Sequence, residues 1–356
     1  MPPHSHRFSS PTPISFVPAA AVAIASLTCA AVLAAVMPPG SDGPAVAGYK
    51  TIANVSSTVV KIAPGQSLSS VHPQAGTKYE FQRGATYTGT LNISADNVWI
   101  TNYGTGRYPV FSRSSEGSVI QVSGNNDRIG QIRLTGQGYS SVSGCGSAKT
   151  AGYEVGVDIT GGHDTVHSVI AYGNLYAGVY VETAGSYATI SGSEFNDVNA
   201  LNPDNLGSGA FGILLWGSHN TVTGDKFVNQ STCSPDFGTD GSGVEIYHGS
   251  NNLIEHCTGS NDSDFTELGG AGATGNQYVN DTFAGPGEFL VTRGSGDSAD
   301  GPVHNTTMDG DVVHGAVVSY DWRSGDGTLL TLKNSHVGSL SQDGGYVNAG
   351  GNTIGF

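Results

Sequence analysis

Glu245 and Glu267 hold matching places in two similar short segments, Gly243-Val-Glu-Ile-Tyr247 and Thr266-Glu-Leu268. If those segments stack, the two carboxyls become neighbours. Stacked carboxylates repel, so one must take up a proton or both must share a cation. The first outcome is acid–base chemistry and the second is metal binding. Asn261-Asp-Ser-Asp-Phe-Thr-Glu267 adds Asp262 and Asp264, and Gly238-Thr-Asp-Gly-Ser-Gly243 adds Asp240. These are hard oxygen donors suited to calcium, although the spacing is not that of an EF-hand loop. Basic partners are few. Arg293 ends the apolar run that follows Glu267, Arg323 comes one repeat later, and His248 follows Tyr247 directly. Lys226 falls in a different kind of segment. No HExxH, nucleophile elbow or phosphate loop is present.

Stacking is what the rest of the chain predicts. Gly156-Val-Asp-Ile-Thr160, Gly178-Val-Tyr-Val-Glu182, Gly212-Ile-Leu-Leu-Trp216 and Gly243-Val-Glu-Ile-Tyr247 begin alike. Each is followed by a turn and a second short run: Asp164-Thr-Val-His, Tyr187-Ala-Thr-Ile, Asn220-Thr-Val-Thr and Asn252-Leu-Ile-Glu. The series continues less regularly through Phe289-Leu-Val291 and Ala316-Val-Val318. A unit this small cannot bury its own apolar face, but stacked units share one core. Runs of three to five residues between Gly, Asn, Ser and Asp turns suit a solenoid of flat coils. Asn220, Asn252, Asn276 and Asn305 recur at one turn, where Asn tolerates a left-handed backbone. His163, His219 and His248 also recur near a turn, which favours a structural ladder.

Side chains alternate along a strand. With Val157, Val179, Ile213, Val244 and Thr266 inward, two outward columns result. One is Asp158, Tyr180, Leu214, Glu245 and Glu267; the other is Thr160, Glu182, Trp216 and Tyr247.

Composition narrows the function. Only 12% of the 356 residues are charged, 53 are Gly, and 14 Lys and Arg face 29 Asp and Glu for a net charge of −15. Nucleic acids and anionic membranes demand a basic face, so neither is an expected partner. Nothing calls for a protein partner, and a monomer is expected. Residues 1–47 read as a signal peptide or membrane anchor, with Ala45-Val46-Ala47 as a small-residue cleavage site. The chain is therefore expected to be exported, as a secreted or cell-surface protein. Residues 48–356 then form one domain, with an N-terminal cap over about 48–90. Export leaves Cys145, Cys233 and Cys257, an odd number with no CxxC pair. They are expected to be small buried core side chains rather than a disulfide.

Ala63-Pro-Gly-Gln-Ser-Leu68, Tyr79-Glu-Phe-Gln-Arg-Gly84, Tyr87-Thr-Gly89 and Tyr103-Gly-Thr-Gly-Arg-Tyr-Pro-Val110 complete the pattern. On these and the repeats, residues from about 60 to 356 resemble the pectate-lyase-like superfamily. The resemblance implies an all-β fold, the right-handed parallel β-helix solenoid, and a glycan in the groove over the outward columns. Asp158, Tyr180, Glu182, Trp216, Tyr247 and Arg323 would then contact substrate. It also implies a polysaccharide lyase acting on a uronic-acid-containing glycan. Calcium would be held by Glu245, Glu267 and Asp264, with Arg293 as base or carboxylate clamp. Asp240 and Asp262 are further candidate ligands from the acidic segments, and His248 is a further candidate catalytic residue. Two alternatives stand: a glycoside hydrolase using paired carboxylates, and a non-catalytic glycan-binding surface protein. True pectate-lyase motifs are missing, as are the adjacent Asp pair and Arg-x-Lys segment of polygalacturonases, so the resemblance does not carry the substrate over.

Overall fold

Outside the loops, short strands pair in parallel, each coil's strands with those of the next coil. The computed structural model describes residues 58–355 apart from 114, 139–143, 146–148, 151–153, 202–207, 236, 286 and 341–343. The leader read at 1–47, like the start of the cap, lies outside the described residues. The architecture is a right-handed parallel β-helix. One face is a 12-stranded sheet running from Thr58–Ile62 to Tyr346–Asn348. A second face carries Ile170–Asn174, Glu194–Val198, Lys226–Val228, Thr258–Ser260 and Thr282–Ala284. The third, called the floor below, carries Val155–Ile159, Ala177–Val181, Phe211–Leu215, Ser242–Tyr247, Asp264–Gly269 and Glu288–Arg293. Val312–Tyr320 pairs with the last strands of both the second face and the floor.

Each inward column is a continuous apolar stack. Val157, Val179, Ile213, Val244, Thr266 and Leu290 follow one another beneath the floor, all fully buried. Thr266, the polar member, shares a hydrogen bond of 2.7 Å with the Tyr278 hydroxyl from the opposite sheet. Phe195, Phe227, Gly259 and Phe283 line the second face. Gly259 makes room there, because a Cβ would lie 2.5 Å from the Phe265 ring.

The turns are ladders of a regular kind. The amide of Ala188 donates to Asn220 Oδ1, that of Asn220 to Asn252, and that of Asn252 to Asn276. Asn305 does not continue this ladder: pairing of Gln277 with Thr307 puts Thr306 at the next rung. Asn305 belongs to the preceding left-handed position with His163, His219 and Asn251. Tyr187 stacks between His163 and His219 at that position, at 4.9 and 5.0 Å. His248 is not part of this column; it follows the floor strand Ser242–Tyr247.

At the two other turns Asp often takes the place of Asn. Asp225 accepts the Ser193 amide, Asp262 that of Gln230, and Asp311 that of Asp281. The second oxygen of each is buried with no hydrogen-bond partner among the described residues. Burial raises Asp225 to about 8 and Asp262 and Asp311 to about 7. A carboxyl whose folded pKa is raised binds its proton more tightly folded than unfolded, where Asp titrates near about 3.9. Its contribution to stability is complete below that value and is lost as pH rises through the folded pKa. The melting temperature is therefore expected to be several degrees higher at about pH 5 than at about pH 8.5, with Asp225→Asn shrinking the difference. Melting curves of both proteins across that range would test this; equal curves would refute it.

Between coils, three loops rise beside the floor as a wall. Lys149–Thr150 pairs with Ala200–Leu201, Leu201 bridges to Gly209, and Thr232–Ser234 forms a hairpin with Gly238–Asp240. Cys145 and Cys233 are joined by a disulfide, and Cys257 is a buried free thiol. This corrects the expectation of three core cysteines. Two of them sit on wall loops, whose course the coil repeat does not describe.

Candidate active site

Register puts the expected carboxylates together. Asp158, Tyr180, Leu214, Glu245, Glu267 and Val291 pair successively, so they form one outward column. Two residues along each strand lies the second column: Thr160, Glu182, Trp216, Tyr247, Gly269 and Arg293. A third outward position carries Ser242, Asp264 and Glu288 in register. Glu288 was not singled out from the sequence, though aligning Ser242 with Asp264 and Glu288 would have exposed it.

Asp240, Asp264 and Glu267 each offer a carboxylate oxygen, and these three atoms lie within 4.8 Å of one another. Asp240 arrives from the wall hairpin. Its Oδ2 accepts the Gly209 amide at 3.0 Å and its Oδ1 the Gly241 amide at 2.9 Å. Glu245 lies in the next rung beneath Glu267, buried, with Oε2 accepting the Ser242 hydroxyl at 3.0 Å. Arg293 reaches back one coil to Glu267, donating from Nε to Oε1 at 3.1 Å and forming an ion pair through Nη2. Asp297 is a more distant partner at 3.9 Å. Gly269 matters here. A Cβ would meet the Tyr247 ring at 2.8 Å, and its absence leaves that ring room. The Tyr247 hydroxyl donates to Asp300 Oδ1 at 2.5 Å.

The electrostatics follow from crowding acids in a half-buried place. Burial, then the charge of Glu267, raises Asp240 to about 7 and Asp264 to about 8. The same two causes raise Glu245 well above the usual carboxylate range. Burial works against the charge of Arg293, but Glu267, Asp300 and Asp297 outweigh it and keep the guanidinium protonated. Burial and the bond to Asp300 raise the Tyr247 hydroxyl, and burial and Glu288 raise that of Tyr320 to about 12. The donor set fits a hard dication: it is all oxygen, it converges, and its members repel one another until a positive charge arrives.

The other expected residues divide. Trp216 lies between Tyr180 and Tyr247, with ring centres 6.2 and 5.3 Å away, and His248 is 4.4 Å from the Tyr247 ring. Tyr180 and Trp216 pack on an apolar patch of Val155, Tyr176, Phe211 and Leu214 that joins floor to wall. Asp158 and Glu182 lie at the far end of the floor. Asp262 is removed from the expected ligand set, because its carboxylate is turned inward to cap the Gln230 amide. Arg323 is exposed in the turn after Val312–Tyr320, beyond the strand that ends the floor. Asp300 and Asp297 were missed because they lie in a loop outside the repeat.

No protein-family model and no curated protein matches the chain. Solved structures do match its shape. The chain is similar to pectate lyase Pel9A, with a TM-score of 0.56 and 17% identity over 83% of this chain and 80% of that one. It is also similar to an alginate lyase from Paenibacillus sp. str. FPU-7, with a TM-score of 0.53 and 14% identity over 84% and 98% of the two chains. A variant catalytic domain of GH87 alpha-1,3-glucanase, solved with nigerose, gives 0.52 and 12% over 84% of this chain and 55% of that one. Identities this low establish the fold, the right-handed parallel β-helix of these enzymes.

Proposed function

We propose that the chain is an exported polysaccharide lyase that cleaves a uronic-acid-containing glycan by β-elimination on this floor. The observation carrying the proposal is the convergence of Asp240, Asp264 and Glu267 within 4.8 Å, beside the protonated Arg293. Elimination requires three things of the protein. The uronate carboxylate must be neutralised, the C5 proton removed, and the departing C4 oxygen protonated as the C4–C5 double bond forms. Calcium held by Asp240, Asp264 and Glu267 would supply the first by withdrawing charge from the uronate. Arg293 adds to it as a planar clamp for a carboxylate, the role its raised pKa favours over that of base. His248, exposed at the rim, is the group suited to accept the C5 proton. Tyr247, whose hydroxyl donates to Asp300 in the resting site, would turn that proton to the leaving oxygen, while Trp216 and Tyr180 offer faces to sugar rings.

The acidic chain makes the cation a requirement, because a polyanionic glycan is otherwise repelled. Export is supported by the leader pattern and by the Cys145–Cys233 disulfide, which belongs in an oxidising compartment. A monomer without nucleic-acid or protein partners fits the charge balance.

A hydrolase reading has one observation in its favour. Burial and the charge of Glu267 raise Glu245 well above the usual carboxylate range while Glu267 is ion-paired with Arg293, and hydrolysis needs a pair split in this way. The products separate the two. Incubation with a panel of uronans and neutral glycans, with and without calcium, is expected to give unsaturated, ultraviolet-absorbing ends that vanish in chelator. Reducing ends without that absorbance would replace the lyase by a hydrolase, and no cleavage at all would overturn both.

A further inference from the structure

The floor does not end at the acidic cluster. Three coils before Glu245, Asp158 begins a cleft of about 430 Å³ lined by Asn92, Gln121, Ser123, Thr160 and Glu182 among others. Asn92, Gln121 and Asp158 pair in succession, so the cleft floor is a ladder of two amides and a carboxylate. Asp158 Oδ2 accepts the Ser118 hydroxyl at 2.8 Å, and its other oxygen is buried with no hydrogen-bond partner among the described residues. Burial, then the charge of Glu182, raises Asp158 to about 6 despite the Ser118 bond. None of the lining residues is basic.

We propose that this cleft holds a neutral sugar unit of the same glycan, so that the substrate is a heteropolymer and not a chain of uronate alone. The inference rests on the lyase reading and sharpens its substrate. Three coil steps at about 4.8 Å separate Asp158 from Glu245, roughly 14 Å. A chain lying along the floor would cross the Tyr247, Trp216 and Tyr180 rings before reaching the cleft. There, sugar hydroxyls can donate to Asp158 and Glu182 and accept from the Asn92 and Gln121 amides. A uronate would instead put a third carboxylate beside two acids in a cleft whose lining holds no basic side chain. The nearby Arg113 is engaged outside that lining by Thr90 and the carbonyls of Ser115 and Ser118, so the like-charge contact discriminates against the uronate. The cluster end differs in this respect, since it has Arg293 and convergent donors for a cation.

Titration calorimetry on the calcium-loaded protein tests the inference with two hexasaccharides, one of pure galacturonate and one alternating galacturonate with rhamnose. The alternating chain is expected to bind at least about tenfold more tightly, a difference of about 1.4 kcal/mol. Glu182→Lys should abolish or reverse that preference, and the isosteric pair Asp158→Asn with Glu182→Gln should reduce it. Glu255→Lys, on the twelve-stranded face, makes the same change of net charge and should leave it unaltered. Equal binding of the two chains, binding of neither, or a preference that no cleft variant moves would overturn the proposal. The lyase reading fails on a different result, the absence of unsaturated ends from every uronate-containing chain, the alternating one included.

Discussion

Glu267→Gln is expected to cut turnover by about 10³-fold, the scale of losing a principal electrostatic group in a site shielded from water. The residue has two tasks on one carboxylate. It contributes an oxygen to the Asp240, Asp264 and Glu267 convergence, and it anchors Arg293 through an ion pair. An amide does both poorly: it loses the charge that a cation needs and leaves Arg293 without its nearest counter-charge. Calcium affinity, read by calorimetry without substrate, should fall by about 100-fold in the same variant, a loss of about 2.7 kcal/mol. The stack itself should survive, because the side chain faces outward and its neighbours Thr266 and Leu268 carry the packing. Unchanged calcium affinity and turnover would remove the acidic cluster from the function. Glu245→Gln supplies the contrast. Burial and the charge of Glu267 push Glu245 well above the usual carboxylate range, so the neutral amide mimics the form its surroundings favour and a lyase should lose little. A hydrolase using Glu245 as its acid should lose about 100-fold or more.

Removing the Cys145–Cys233 disulfide is expected to have the second largest effect, acting at a distance through the wall. The bond ties residues 88 apart in sequence, and Cys233 pairs with Thr239 in the hairpin that ends on Asp240. Gly209, on the neighbouring wall loop, donates its amide to Asp240. Without the tether the hairpin keeps its short ladder but loses its anchor to the first wall loop, so Asp240 is no longer held against Asp264 and Glu267. Cys145→Ser with Cys233→Ser, or mild reduction, should weaken calcium binding about tenfold, or 1.4 kcal/mol. Melting should fall by about 5–10 °C, from the 2–4 kcal/mol a disulfide commonly contributes and the size of the chain. Cys257 is buried in the core and should not react. If the reduced protein binds calcium as well as the oxidised one, the wall has no part in placing Asp240.

Much of this site was legible because a solenoid turns sequence spacing into spatial order. Glu245 and Glu267 could be paired from their positions after inward Val244 and Thr266, and the register agrees. The same logic placed Tyr180, Trp216 and Tyr247 on the floor. It failed where one residue of phase decided the outcome. Asp262 and Asp264 sit two apart, yet Asp262 belongs to a left-handed turn that points its carboxylate at the Gln230 amide, while Asp264 opens the next strand facing outward. Asn305 was misplaced by one residue, and His248 by three, since Asn251 holds the rung after His219. Loops that leave the coil were harder still. Nothing in the spacing of Cys145 and Cys233, or of Tyr247 and Asp300, signals that they meet.

Periodic short apolar runs and their Gly, Asn and Asp turns were enough by themselves to specify a stacked coil and its outward columns, since no single coil can bury its apolar side alone. What they could not specify was how far Arg293 leans, where the wall hairpin carries Asp240, or that an acid-lined cleft opens three coils away. Those depend on contacts between segments of unrelated pattern. Only the folded chain brings such segments within reach of one another, and the charges they hold acquire their chemistry from that closeness.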